Sequence, residues 1–519
     1  MLKNTSLIRY IFILCILFLL PFFSSAIPAY FNILDYGAIG DGTRLNTKSI
    51  QSAIDACVKS GGGTVYFPAG KYLSGTLFLK SNITLYLDAG AVLVGSKNLD
   101  DYPVTLSNVR CYTDNYTDKS LVFGEGLEHI AIIGQGIMDG NGASFKGPYK
   151  VRPYMIRLIN CKYVIVKEVT IINSPMWVQH FLACENVNIE GITVNSRVND
   201  NNDGIDIDGC TDVRISNCSI ISGDDAIVLK STLDKPCNNV TITNCVMSSD
   251  CNAFKLGTET NGGFQNITLS NCTIYDTRLA GITLQEVDGG TLNRVSITNV
   301  TMNNVGTAIF IRLGNRARPF TEKMAKPGMG LLSNVIISNV QATNVGNTGC
   351  SITGIPGYPV KNITLENIRL TIRAGATQEL VKPEVQEIPE SYPEFGMFGK
   401  LPAYGFYCRH AENLTFNDVE LDFIEPDARP AMVFDDISGL ELYKIKARVI
   451  GSEPLIQCKD IKNMFVQSCM APQGIETFLY ISGEKSEHIT LSGNDLSGAK
   501  NAIKIMDNIE VYLDSIRLN

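Results

Sequence analysis

The chain has 519 residues, a formal net charge of −8 and only 18% charged residues. Its acidic balance and the lack of any basic stripe speak against nucleic acid as a partner. After the first two dozen residues no apolar run approaches the roughly 20 residues that a membrane-spanning helix needs, so no membrane insertion is expected.

In chain order, Met1 to Arg9 carries Lys3 and Arg9, the run from Tyr10 to Phe23 is apolar, and Ser24-Ser25-Ala26 follows. A charged start, a short apolar stretch and a small-residue cleavage site predict a signal peptide over residues 1–26 and an exported protein, periplasmic or extracellular. Cys15 lies inside the apolar stretch and not after it, so no lipid anchor is expected. Residues 27–519 are read as one catalytic array without a second domain. Asn46 reads as an N-cap, with Ile50, Ala53, Ile54 and Cys57 on one helical face, so a short helix is predicted to close the open end of that array. Gly61-Gly62-Gly63 ends it, and Thr64 to Phe67 reads as the first strand.

A repeat then runs through the chain. Asn or Asp followed by Val or Ile, one residue, and Ile or Leu recurs at Asn186, Asp212, Asn239, Asn266, Asn334 and Asn362, with Arg294 in the same place once. Weaker copies start at Tyr163, Asn413, Gly439, Asn463 and His488. The second positions fall at 164, 187, 213, 240, 267 and 295, steps of 23 to 28 residues. Each copy alternates apolar and polar residues, the mark of a half-buried strand, and short strands at such a period predict a solenoid whose coils bury their inner residues only by stacking. The predicted fold is therefore all-β, a single-stranded right-handed parallel β-helix with an N-terminal capping helix, the hand following the rule for parallel crossovers. Two gaps, roughly 306–330 and 374–410, lengthen the period and predict long loops on the scaffold.

Fifteen cysteines are spread along the chain. Cys218, Cys245 and Cys272 each follow an Asn at intervals of 27, so they are expected to stack in the core as small apolar residues. A bridge within Cys237, Cys245 and Cys251 stays open, and no cysteine or histidine spacing resembles a metal site, so no metal and no cofactor is expected.

The chemistry concentrates in residues 200–231. Asp203 precedes Asp224 by 21 residues, and Asp225 follows directly. One period apart in a solenoid means side by side in space, since neighbouring strands lie about 4.8 Å apart. Three carboxylates sharing one patch suit glycosidic hydrolysis, in which one carboxylic acid protonates the leaving oxygen and another carboxylate takes a proton from water; crowding itself separates the two roles by raising one pKa. Aspartate beside glycine is also ordinary turn chemistry, and the residues alone leave both readings open. Asp206 and Asp208 alternate with Ile205 and Ile207 and are read as a solvated strand face, and Lys230 as a solvated strand end.

The chain resembles the polygalacturonase family, glycoside hydrolase family 28, over nearly all of residues 27–519. The likeness rests on Asp35 to Gly42, Gly61 to Tyr72, Ile133 to Gly140, Asn173 to Trp177, Asn201-Asn202-Asp203-Gly204 and Gly223-Asp224-Asp225. It implies that Asp224 is the general acid and that Asp203 and Asp225 activate water, with inversion of configuration. Two family motifs are absent: Cys251 to Gly257 stands where members carry Gly-His-Gly, and Thr283-Leu284-Gln285 where they carry Arg-Ile-Lys. In members that cleave homogalacturonan those cations hold a galacturonate carboxylate, so the resemblance implies a rhamnogalacturonan-type or branched pectic substrate. Candidate substrate-binding residues are His180, Asn201, Asn252, Lys255, Glu259, Arg312 and Arg316, with Arg318, Arg409 and His410 behind them; arginine forks suit carboxylates. The expected protein is a monomeric, exported inverting α-glycosidase acting on galacturonosyl linkages from chain ends. The alternatives are an endo-polygalacturonase, a rhamnogalacturonan hydrolase, a pectate lyase or a non-catalytic polysaccharide-binding β-helix.

Overall fold

The computed structural model describes residues 30–376, 384–506 and 509–518; the expected signal peptide lies outside them. Among the described residues thirty-six strands form one continuous sheet, in which strands pair in parallel with their counterparts on neighbouring coils. The result is a right-handed parallel β-helix. One inward column shows the repeat at work. Ile130, Val164, Val187, Val213, Val240, Ile267 and Val295 stack in register and continue through Val335, Ile363, Leu414, Leu440, Met464 and Ile489. The column passes both long gaps without losing register, so the extra residues leave the coil and return to the same place.

The repeat's Asn is a corner residue. Asn186, Asp212, Asn239, Asn266, Asn334, Asn362 and Asn413 all sit in the left-handed region with φ between 54° and 58°, and Arg294 takes φ 58° in the same position. Asparagine and aspartate tolerate that conformation better than other non-glycine residues. Stacked corners also bond to one another: Asn266 Nδ2 donates to Asn239 Oδ1 at 2.9 Å, Asn239 to Asp212 at 2.8 Å and Asn413 to Asn362 at 2.9 Å. Fourteen described cysteines are all free, and all but Cys251 are buried, so Cys237, Cys245 and Cys251 form no bridge.

The capping helix α1 (Thr47–Lys59) turns Ile50, Ala53, Ile54 and Cys57 into the core. Asn46 is its N-cap, its carbonyl accepting from Ile50 N at 2.9 Å, but its side chain makes no capping bond; the amide accepts from Ile39 N and donates to the carbonyls of Ile39 and Arg44. The sheet begins before Thr64, with Tyr30–Asn32 paired to Thr64–Tyr66. Among the described residues no helix is long and apolar enough to cross a membrane.

The site lies on one stacked row of strands: β1 (Gln179–Leu182), β2 (Ile205–Asp208), β3 (Ile227–Ser231), β4 (Phe254–Thr260), and the ends of β5 (Phe264–Glu286) and β6 (Thr291–Leu313). Strands β1 to β4 are buried on both faces, whereas Lys162–Lys167, elsewhere on the coil, is half exposed. Other segments therefore cover the outer face of this row. Two of them are the long loops, which leave the coil after Leu313 and after Ala374 and return at Leu331 and Phe406.

Candidate active site

Asp203 ends the turn that leads into β2, and Asp224 and Asp225 occupy the equivalent turn before β3. Gly204 N–H donates to the Asp225 carbonyl at 2.9 Å and so ties the two turns together. A side chain at Gly204 would meet the Ala226 carbonyl at 2.5 Å, so only glycine allows this approach. One carboxylate oxygen from each of Asp203, Asp224 and Asp225 lies within 4.8 Å of the others. Asp203 and Asp225 are buried and Asp224 is half-buried. This spacing is tighter than the roughly 6.5–9.5 Å that separates acid and base when a water attacks between them.

Two buried lysines balance the acids. Lys255 Nζ lies 3.0 Å from Asp225 Oδ2, and Lys230 Nζ lies 3.3 Å from Asp203 Oδ2 and 3.6 Å from Asp206 Oδ1. Trp177 covers Lys230, its ring centroid 4.5 Å from the ammonium. Asn252 donates to Asp225 Oδ1 from its side chain at 2.9 Å and its backbone at 3.2 Å. The three acids form the one group of described His, Cys, Asp and Glu side chains with the spacing to hold a metal ion. The two ammonium groups already supply positive charge there, which does not favour a further cation.

The environment separates the acids. Burial pushes the Asp224 carboxyl up, reinforced by the charge of Asp225. Burial also opposes ionisation of Asp225, but Lys255, Lys230 and the Asn252 hydrogen bond outweigh it and hold that carboxyl low. Asp203 is pushed well up by burial and by Asp224, with Lys230 opposing, and its Oδ1 has no protein partner. The result is a carboxyl that holds its proton more tightly beside one that gives it up more readily, the division of labour that acid–base hydrolysis requires.

Around this centre the structure distributes the other candidates unequally. Asn201 Nδ2 lies 3.5 Å from Asp224 Oδ2, and its own oxygen accepts from Arg152 at 2.9 Å. Asn252 is committed to positioning Asp225, since its oxygen also accepts from Ala280 N and Thr283 Oγ1. Glu259 is ion-paired with Arg318 and stands 3.9 Å from Arg316. Burial opposes its charge, but Lys230, Arg316, Arg318 and Lys255 bring its pKa down to about 2. Arg316 grips Asp288 and the Thr258 carbonyl while one terminal nitrogen has no partner.

Two candidates for substrate contact fall elsewhere. His180 is fully buried beneath the site, stacked on Tyr154 and bonded to Asp208 at 3.1 Å; burial lowers its pKa, so it is a neutral packing residue. Arg312 is 2% exposed and braces the second loop, donating to the Gly354 carbonyl at 2.8 Å and the Glu387 carbonyl at 2.9 Å. Arg409 and His410 likewise pair with Glu387, and with Asp435 and Asp436 respectively, away from the acids. Asp206, Asp208 and Lys230 are buried, not solvated, because this row is covered outside as well as inside.

No site role was expected for Tyr392 or Glu394. The second loop lays both over β4: Glu394 Oε1 is 3.4 Å from Lys255 Nζ and from Asn252 Nδ2, and Thr258 Oγ1 donates to Tyr392 Oη at 2.8 Å. Burial raises the Glu394 pKa against the pull of Lys255, and its Oε2 has no partner. Gln285, in the place of the missing family lysine, is tied to the Pro393 carbonyl at 2.8 Å.

The family model described as Glycosyl hydrolases family 28 matches residues 57–387. The chain belongs to this family. Among curated relatives, "Probable polygalacturonase" of Vitis vinifera is 37% identical over a 222-residue match that covers 39% of this chain and 45% of that protein. "Exo-poly-alpha-D-galacturonosidase" of Dickeya chrysanthemi is 45% identical over 126 residues, 23% of this chain and 21% of that protein. The chain thus matches less than half the length of either. Among solved structures, the family 28 exopolygalacturonase of Yersinia enterocolitica superposes with a TM-score of 0.65 at 21% identity, covering 82% of this chain and 80% of that one. The exopolygalacturonase of Thermotoga maritima gives 0.56 at 24% identity, covering 66% and 87%. At such identities the likeness is one of fold; within the family 28 frame, the aspartate trio and its lysines are features of this chain's own geometry.

Proposed function

We propose that this protein is an exported inverting α-glycosidase that hydrolyses galacturonosyl linkages of pectic oligosaccharides from chain ends. The observation that carries the reading is the convergence of Asp203, Asp224 and Asp225, with one carboxylate oxygen of each within 4.8 Å of the others, in surroundings that push the Asp224 carboxyl up and hold Asp225 down. Asp224 donates to the glycosidic oxygen, Asp225 takes a proton from the attacking water, and Asp203 lies close enough to share its proton with both. Inversion rests on family membership, because the oxygen spacing is shorter than direct attack by water ordinarily uses. Action at chain ends is supported by Tyr392 and Glu394, which stand over the cleft at β4, and by the names of two structural relatives. A rhamnogalacturonan-type or branched substrate is supported by Thr283 and Gln285. They stand where homogalacturonan-cleaving members carry cations, and both are engaged with protein groups. Export is supported by the charged and apolar start of the chain.

The test is incubation with homogalacturonan and rhamnogalacturonan oligosaccharides, with products sized over time and the first anomer read by proton NMR. Monosaccharide released first from the rhamnogalacturonan series as the β-anomer is expected. Exclusive release from homogalacturonan overturns the substrate reading, mid-size products overturn the chain-end reading, and an α-anomer overturns inversion.

A further inference from the structure

A uronate recognised over β4 needs a cation free to meet its carboxylate, and each cation there is already matched to an acid of the protein. Lys255 lies 3.0 Å from Asp225 and 3.4 Å from Glu394, Arg316 is paired with Asp288, and Arg318 with Glu259. The unpartnered terminal nitrogen of Arg316 is itself buried. Thr283 and Gln285 are neutral and bonded to protein groups. Glu394 differs from the other acids in where it comes from. Asp225, Glu259 and Asp288 belong to the coils of the site, whereas Glu394 is delivered by the second loop, 139 residues beyond Lys255. It brings a second carboxylate to an ammonium that Asp225 already matches, and the same oxygen lies 3.4 Å from Asn252 Nδ2. Two adjacent donors able to hold a sugar carboxylate are thus filled from within the chain. The loop also leaves the Tyr392 side chain 54% exposed close to them, an aromatic face that suits the C–H edge of a sugar.

We propose that Glu394 is a specificity-determining residue: its carboxylate occupies the donors of Lys255 and Asn252, excludes a uronate from the position over β4 and admits an uncharged sugar against Tyr392. The inference rests on the hydrolytic reading above and deepens it. On that reading the bond cleaved is galacturonosyl, so the uncharged sugar is the one that leaves. The exclusion has two parts. An incoming carboxylate finds its donors taken, and it meets a like charge, which is how a site rejects a ligand that otherwise fits. A neutral sugar suffers neither penalty, and its hydroxyls can donate to Glu394, whose second oxygen has no protein partner.

The experiment compares wild type with Glu394→Gln, which keeps the size and loses the charge, and Glu394→Asp, which keeps the charge. Thermal midpoints check folding, and Glu394→Ala takes the place of Glu394→Gln if that variant does not fold. Each is assayed at neutral pH on digalacturonate and on the galacturonosyl–rhamnose disaccharide of rhamnogalacturonan, which share a galacturonosyl group and differ in the charge of the sugar that leaves. The kcat/KM for digalacturonate, relative to that for galacturonosyl–rhamnose, is expected to rise about tenfold in Glu394→Gln, the scale of one charged contact, and to stay near wild type in Glu394→Asp. A ratio that is unchanged or falls in Glu394→Gln, equal losses on both substrates included, overturns the proposal and leaves the hydrolytic reading intact. If wild type cleaves neither compound, the hydrolytic reading fails on these substrates. In that case, or where only one is cleaved, calorimetric titration with digalacturonate decides. Tighter binding in Glu394→Gln supports the proposal; binding that is unchanged, weaker or absent from both proteins overturns it.

Discussion

The Asn corners and the aspartate turns are the same device used twice. At each, the coil period places like residues directly beside like. Asparagine stacked on asparagine can pair with itself, because each amide carries a donor and an acceptor, as where Asn266 donates to Asn239 and Asn239 in turn to the carboxylate of Asp212. Aspartate stacked on aspartate is not, because carboxylates only accept and repel. That side of the coil has therefore recruited Lys230, Lys255 and Trp177 and a loop from far along the chain. The contrast shows where a solenoid concentrates function: not at its most regular column but where stacking is unfavourable and something must compensate.

The largest expected effect comes from removing the member of the unfavourable stack whose carboxyl is pushed up. Asp224→Asn should lower kcat at least about 10²-fold, the scale of a lost general acid, while the unfolding midpoint stays level, because a neutral amide of the same size replaces a carboxyl already pushed towards its neutral form. Unchanged product release would remove the enzyme reading altogether. Next in size is Lys255→Met, which strips Asp225 of its nearest cation. Leaving a buried carboxylate unpaired should cost about 3–5 kcal/mol in urea unfolding. The sign in activity follows from the same contact: Lys255 holds the Asp225 pKa down, so without it the base stays protonated to higher pH. The acidic limb of kcat/KM therefore shifts upward in pH, and an unshifted limb would show that Asp225 is not the base. The smallest effect belongs to the neutral ladder. Asn266→Ala should cost about 1–2 kcal/mol, because alanine is forced to the left-handed φ of 56°, while Asn266→Gly should recover part of it. Equal costs would mean that the amide ladder, not the backbone conformation, holds the corner.

The coil architecture was legible because the Asn-Val/Ile spacing reports a backbone requirement and a buried column at once, and both recur with every coil. The acid trio was legible for the same reason, through a separation of 21 residues. Asp206, Asp208 and Lys230 were misread because alternation reveals only which residues face inward. It cannot reveal that loops cover the outer face as well. The place of Glu394 and Tyr392 at the site was not legible because the second loop departs from the period, and its registration over β4 depends on contacts such as Gln285 to Pro393 that no spacing encodes. Arg312 was expected at the substrate for a related reason. It does serve the site, but by anchoring the loop's Glu387 backbone.

The reach of that loop has a consequence for the order in which the site comes into being. Glu394 lies 139 residues beyond Lys255. A ribosome delivers the three aspartates, both lysines and Trp177 long before it delivers the loop that closes over them. Because each coil stacks only on its neighbours, the acids can be assembled while the cleft is still uncovered. Completion waits for the coil at Phe406 to Glu425, which carries the returning loop back into the array.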